Sequence, residues 1–111
     1  MNNKLNKFNK TFYKDTFSFD LEGNRKFQPG DKVIVGIAKS TYSDEDVIPL
    51  KIINITEEQE SLNITYTPEE MKPVEPGDYI LEVKLIYSGI VETIIQEKIE
   101  IERVIIDEIP N

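Results

Sequence analysis

Cysteine, histidine and tryptophan are all missing from this 111-residue chain, and glycine occurs only five times. Without cysteine there are no disulfides, no thiolate metal sites and no thiol nucleophile. Without histidine, the commonest metal ligand and the commonest general base at neutral pH are gone. A membrane-spanning helix needs about 20 consecutive apolar residues, and no run in the chain approaches that. The first ten residues, MNNKLNKFNK, lack the apolar stretch of a secretory signal. The expectation is a chain that is neither exported by the usual route nor membrane-bound. What is present, 39% apolar and 31% charged residues in 12.8 kDa, is the balance of one ordinary globular domain. A chain of this mass is expected to bury roughly two thirds of the surface it exposes when unfolded, enough for a core without staples.

Charge is distributed unevenly. The net charge is −8, yet Met1–Lys14 holds four Lys and no acid, so the rest of the chain carries −12. An acidic body repels polyphosphate, and no cluster of cations beyond the leader offers counterion release, so nucleic-acid binding by the folded part is not expected. Residues 1–11 read as a flexible basic leader with Leu5 and Phe8 as its apolar side chains. Its functional alternative is a basic arm that docks on an acidic partner.

The hydrophobic period is two nearly everywhere. Phe17, Phe19 and Leu21 alternate with Ser18, Asp20 and Glu22, the pattern of a strand with one face on a core and one in water, ended by Gly23-Asn24. Pro29-Gly30 supplies the fixed φ and the positive φ of a type II turn before a strand from Lys32 to Lys39. Val47 to Ile55 is β-branched, and its phase slips between Ile52 and Ile53 as a bulge would make it slip. Leu62, Ile64 and Tyr66 alternate with Asn63, Thr65 and Thr67. Thr67-Pro68-Glu69-Glu70-Met71 offers an N-cap, a Pro at the first helical position and two acids in the first turn, which predicts one short helical turn. A second Pro-Gly-Asp, Pro76-Gly77-Asp78, precedes the strand Tyr79 to Tyr87. Ser88-Gly89 then turns the chain into a last strand, or pair of strands, from Val91 to Arg103, where Glu97 interrupts the phase of Ile95, Ile99 and Ile101. Seven or so strands with almost no helix predict an antiparallel β-sandwich over residues 12–103.

Glu75-x-Gly77-x-Tyr79 ahead of an alternating strand has the spacing of a tyrosine corner, and Leu81 falls two residues on, where antibody domains carry a Cys. Pro29, Gly30, Pro76, Gly77, Tyr79 and Leu81 are therefore the expected fold determinants. Chemistry is harder to find. Asp44-Glu45-Asp46 lacks the spacing of a calcium loop and reads as a solvated tip. A Ser or Thr nucleophile would need Lys as its base, and no Ser-x-x-Lys occurs. Acid pairs arise by chance in so acidic a chain. Sequons at Asn9, Asn54 and Asn63 fall largely in Thr-rich strands, and the flanks of the two Pro-Gly-Asp copies do not repeat. No catalytic residue, cofactor or metal is expected, and the chain is not read as an enzyme.

The segments Tyr13–Phe19, Pro29–Ile37, Thr67–Glu70, Pro76–Val83 and Gly89–Ile94, taken in order, resemble the immunoglobulin-like modules of phages and prophages of Gram-positive bacteria. The pattern is similar to the N-terminal domain family of baseplate upper proteins, and it covers about residues 12 to 103. Where that pattern places Gly before the first Asp-Thr, this chain has Lys14. The resemblance implies an immunoglobulin-like sandwich and a virion structural or assembly component of the tail or baseplate. Such a component would sit in the virion, or in the host cytoplasm during assembly, with other phage structural proteins as partners and no nucleic acid or membrane. The rival is a bacterial surface adhesion or carbohydrate-binding domain of the same fold.

A module of this kind acts through its surface. The first and last strands are the expected docking edges, guarded by the alternating charges of Lys98, Glu100 and Glu102. The tail of residues 104–111 is more apolar than a free terminus should be, so it either completes the core or packs on another copy; the expectation is a homo-oligomeric contact with Ile105, Ile106 and Ile109 as its candidate residues.

Overall fold

The period-two segments become strands, and the apolar member of each alternation turns inward. The computed structural model describes residues 11–15, 17–39 and 50–103. In chain order these form β1 (Thr11–Tyr13), β2 (Ser18–Phe27), β3 (Lys32–Lys39), β4 (Lys51–Asn54), β5 (Gln59–Thr65), α1 (Pro68–Met71), β6 (Gly77–Tyr87) and β7 (Ile90–Glu102). The protein is mostly β, in two sheets: five strands ordered β1-β7-β6-β3-β4 and a pair, β2-β5. One apolar cluster draws on both. Val33, Val35, Ile37, Leu81, Val83, Leu85, Ile99 and Ile101 come from the larger sheet, and Phe19, Leu21, Leu62 and Ile64 from the smaller. Phe12 stacks on Phe17 with ring centroids 4.3 Å apart, and Phe17 meets Tyr66 edge-on at 5.3 Å.

Each local signal has a structural counterpart. Thr67 caps α1 through a complete capping box: its hydroxyl accepts from the Glu70 amide, and the Glu70 carboxylate accepts from the Thr67 amide. Tyr87 pairs with Ile90 across Ser88-Gly89, whose φ angles of 49° and 76° are the double positive of a type I′ hairpin turn.

Four expectations are corrected. The larger sheet is mixed, because β1 runs parallel to β7 with Thr11 opposite Glu100. Nearly the whole domain separates the two strands in sequence, so no short crossover is needed for the parallel pairing. The stretch Glu100–Glu102 is therefore covered and is not a free edge. Gly23-Asn24 does not end β2; it lies within a register shift between Glu22 and Phe27. The phase slip at Ile52-Ile53 is no bulge, since β4 pairs with β3 in unbroken register. Instead Ile52 faces solvent at 53% exposure and Ile53 packs against the core. The true bulge lies in β7, where Val83 opposes Ile95 and Lys84 opposes Thr93, leaving Ile94 as the extra residue. That insertion moves the apolar phase from one face to the other and keeps Val91 to Glu102 in a single strand.

Candidate functional site

Among the described residues, three polar clusters and two sheet faces offer the surface from which a function has to be built. At the end of the domain formed by the β2–β3 turn and the β6–β7 hairpin, Asp31 is buried at 6% exposure. Its Oδ2 accepts from the Gln28 amide and from Nη1 of Arg25, both at 3.0 Å. The Asp31 amide donates to the Gln28 carbonyl at 3.0 Å and closes the turn around Gly30, whose φ of 94° is a conformation glycine adopts without strain. The Gly30 amide donates to the Ile55 carbonyl, and the Ile55 amide to the Asp31 carbonyl, so the same turn anchors the segment after β4. Arg25 then lies 4.6 Å from the centre of the Tyr87 ring.

At the other Pro-Gly-Asp the Tyr79 hydroxyl donates to the Glu75 carbonyl at 2.7 Å. Tyr79 is buried, and that burial pushes its phenol above the ordinary range. Leu81 is fully buried. Between β4 and α1, Lys51 donates to the Thr65 carbonyl at 2.7 Å and to Oε1 of Glu70 at 3.1 Å, with its ammonium 4.7 Å from the Tyr66 ring centre. Sequence reading passes over Lys51, whose inward place on β4 shows only once the register with Val35 is known. The Glu70 carboxyl is held below its ordinary value, first by the Thr67 amide and then by Lys51. Burial, and then the charge of Glu70, drives the Tyr66 hydroxyl far above its ordinary value.

The two outer faces differ in kind. On β2-β5, Ser18 and Thr65 share a hydrogen bond, Asn63 donates to Asp20 at 2.8 Å and to Ser18 at 3.3 Å, and Thr65 donates to Asn63. This ladder satisfies itself. On the five-stranded sheet the outward residues include Ile34, Ile52, Ile86 and Val91, with Val91 at 59% exposure. Gln96 donates to Glu82, and Lys84 lies 3.8 Å from that same carboxylate.

Asp44, Glu45, Asp46, Ile105, Ile106 and Ile109 lie outside the described residues. Among those described, no three carboxylates gather where a metal ion could be held. Among the described residues, no buried side-chain nitrogen or oxygen lacks a hydrogen-bond partner, and no helix is long and apolar enough to cross a membrane. No known protein family model, curated protein or solved structure matches the chain.

Proposed function

We propose that the chain is an immunoglobulin-like β-sandwich that serves as a non-catalytic structural module of a phage or prophage tail or baseplate, acting through protein–protein contacts. The observation that carries the fold is the partition of strands. In the immunoglobulin pattern the second strand pairs with the fifth of the set, and the last, sixth and third lie side by side, with an added strand next to the third in variable-type domains. Here β2 pairs with β5, and β7, β6, β3 and β4 lie in that order. The Tyr79–Glu75 bond at the entry to β6 supports the same reading.

The assignment to a virion rests on the ordered strand and turn segments that resemble the phage modules. It is consistent with a surface whose polar groups bond to one another rather than converge on a substrate. The test is mass spectrometry of purified particles and of isolated tails from the producing strain. The chain is expected in the tail fraction at fixed stoichiometry. Its absence from particles, together with binding on a glycan array, would move the reading to a surface adhesion or carbohydrate-binding domain of the same fold. The tail of residues 104–111 is proposed as a contact with a second copy. Deleting it should lower the mass found by light scattering, and a monomer both before and after would refute that contact.

A further inference from the structure

Along β5 the backbone amides and carbonyls alternate between two sides. The Tyr66 amide donates to the Phe17 carbonyl, so Tyr66, Ile64 and Leu62 turn their backbone groups toward β2, and Thr65, Asn63 and Ser61 turn theirs away from it. Among the described residues no strand lies on that outer side. From Ser61 to Thr65 the edge also lacks the usual guards against strand pairing, for it has no Lys, no Pro and no register shift. One group crosses over to it. Lys51 belongs to β4, at the border of the five-stranded sheet, yet its ammonium donates to the outward carbonyl of Thr65 at 2.7 Å. Oε1 of Glu70 at 3.1 Å and the Tyr66 ring at 4.7 Å hold the ammonium there, and the capping box with Thr67 in turn fixes Glu70.

We propose that the outer edge of β5 is a strand-docking edge shaped for β5 of a second copy, and that Lys51 is the latch that keeps it closed. The second copy is selected by pairing the edge with itself about a two-fold axis at Asn63. Ser61 then lies opposite Thr65 of the other copy, Leu62 opposite Ile64, and Asn63 opposite its equivalent. Hydroxyl meets hydroxyl, and apolar meets apolar on the core side. No charge falls between Ser61 and Thr65, although the chain as a whole carries −8. Strands β2 and β5 of both copies then form one four-stranded sheet. That pairing requires the Thr65 carbonyl to accept from the Ser61 amide of the second copy. The ammonium of Lys51 stands on that carbonyl, and a strand laid against it has to strip the charge of water. The two-fold axis repeats the block, so one side chain in each copy closes the whole edge, and its release turns the edge into a template. Neither the virion reading nor the contact by residues 104–111 enters into this.

Sedimentation and hydrogen exchange test it together. In the wild-type chain the amides of Ser61 and Asn63 should exchange fast, and those of Leu62 and Ile64 slowly, at every protein concentration. Lys51→Met keeps an apolar stem on the Tyr66 ring and removes the ammonium. It should tighten self-association by at least about tenfold, the worth of a hydrogen bond to a charged group, and slow exchange at 61 and 63 as concentration rises. Adding Ser61→Pro, which removes an amide that faces away from β2 and is tolerated on an edge strand, should abolish the gain. Lys51→Arg should show no gain. Should Lys51→Met fail to fold, Glu70→Gln decides, because it keeps the capping box while loosening Lys51, and it should give a smaller gain that Ser61→Pro again removes. A folded Lys51→Met chain that associates no more tightly than wild type would overturn the proposal. So would slow exchange at 61 and 63 in the wild-type chain, whether independent of concentration, the mark of an edge covered by the chain itself, or dependent on it, the mark of an edge that Lys51 does not close. A gain that survives Ser61→Pro would place the new contact elsewhere and overturn it too.

Discussion

The same tripeptide, Pro-Gly-Asp, occurs at residues 29–31 and 76–78 and opens a long strand each time, yet it is held by different forces in the two places. At the first, the aspartate does the holding: buried Asp31 accepts from Gln28 and Arg25, and its own amide closes the turn. At the second, Asp78 is exposed and lies opposite Glu100 across the β6–β7 pair. Gly77 already pairs with Ile101, and the segment is fixed by a residue outside the tripeptide, Tyr79, reaching back to Glu75. A turn motif therefore fixes where the chain changes direction. Burial and the nearest partners fix which atom carries the energy.

The largest effect that separates the two copies should come from Asp31→Ala. It leaves the Gln28 amide without its acceptor and Arg25 without its ion pair, and a hydrogen bond to a charged group is worth about 1.5–3 kcal/mol. Denaturant unfolding should show a loss of about 2–3 kcal/mol. Asp31→Asn, which keeps one acceptor oxygen, should recover part of it. A loss no larger than that of Asp78→Ala would erase the distinction drawn here. Gly30→Ala comes next. A side chain at φ 94° costs about 1–2 kcal/mol of backbone strain, although no atom crowds the added Cβ, so the destabilisation should appear without any change in core packing. At the second copy Tyr79→Phe removes one hydrogen bond and keeps the ring, for about 1 kcal/mol. If Tyr79→Phe proves neutral, the second segment is held by the burial of Tyr79 and Leu81 alone.

These particulars also show how much of the molecule could be read from its residues. The alternation of Phe19 and Leu21, of Leu62 and Ile64, and of Tyr79 through Leu85 marks inward faces because period two is a local property of a strand. The cap at Thr67 and the hairpin at Ser88-Gly89 are likewise settled within four residues. Pairing partners are not local. Nothing near Thr11 in sequence states that it lies beside Glu100, and nothing near Lys51 states that its ammonium reaches Thr65 and Glu70. The β7 bulge is hidden in the sequence, where Val91, Ile95, Ile99 and Ile101 share one phase, and it shows only in the register with β6. The candidate site fares similarly: the Glu75–Tyr79 spacing is visible in the sequence, whereas the Arg25–Asp31 pair depends on a turn folding back on the strand before it.

The smallest expected effect completes the comparison and works through charge. The Glu100 carboxyl is raised above its ordinary value of 4.5, first by Glu102, then by burial, and last by Asp78. An acid whose folded pKa lies above its unfolded one binds its proton more tightly in the native state. Its stabilising contribution is therefore present below the ordinary value and is lost as pH rises through the raised one. Like charges directly opposite on paired strands add to this loss. Asp78→Asn should thus shift the Glu100 titration, followed by carbon NMR of its carboxyl, back toward 4.5, and the native state should weaken less as pH rises. As an exposed substitution it should change stability at neutral pH by less than about 0.5 kcal/mol. Asp31→Asn, by contrast, removes a buried charge that has two donors of its own. If Asp78→Asn left the Glu100 titration unmoved, Glu102 and desolvation would account for that raised carboxyl, and the second aspartate would have no electrostatic part to set against the first.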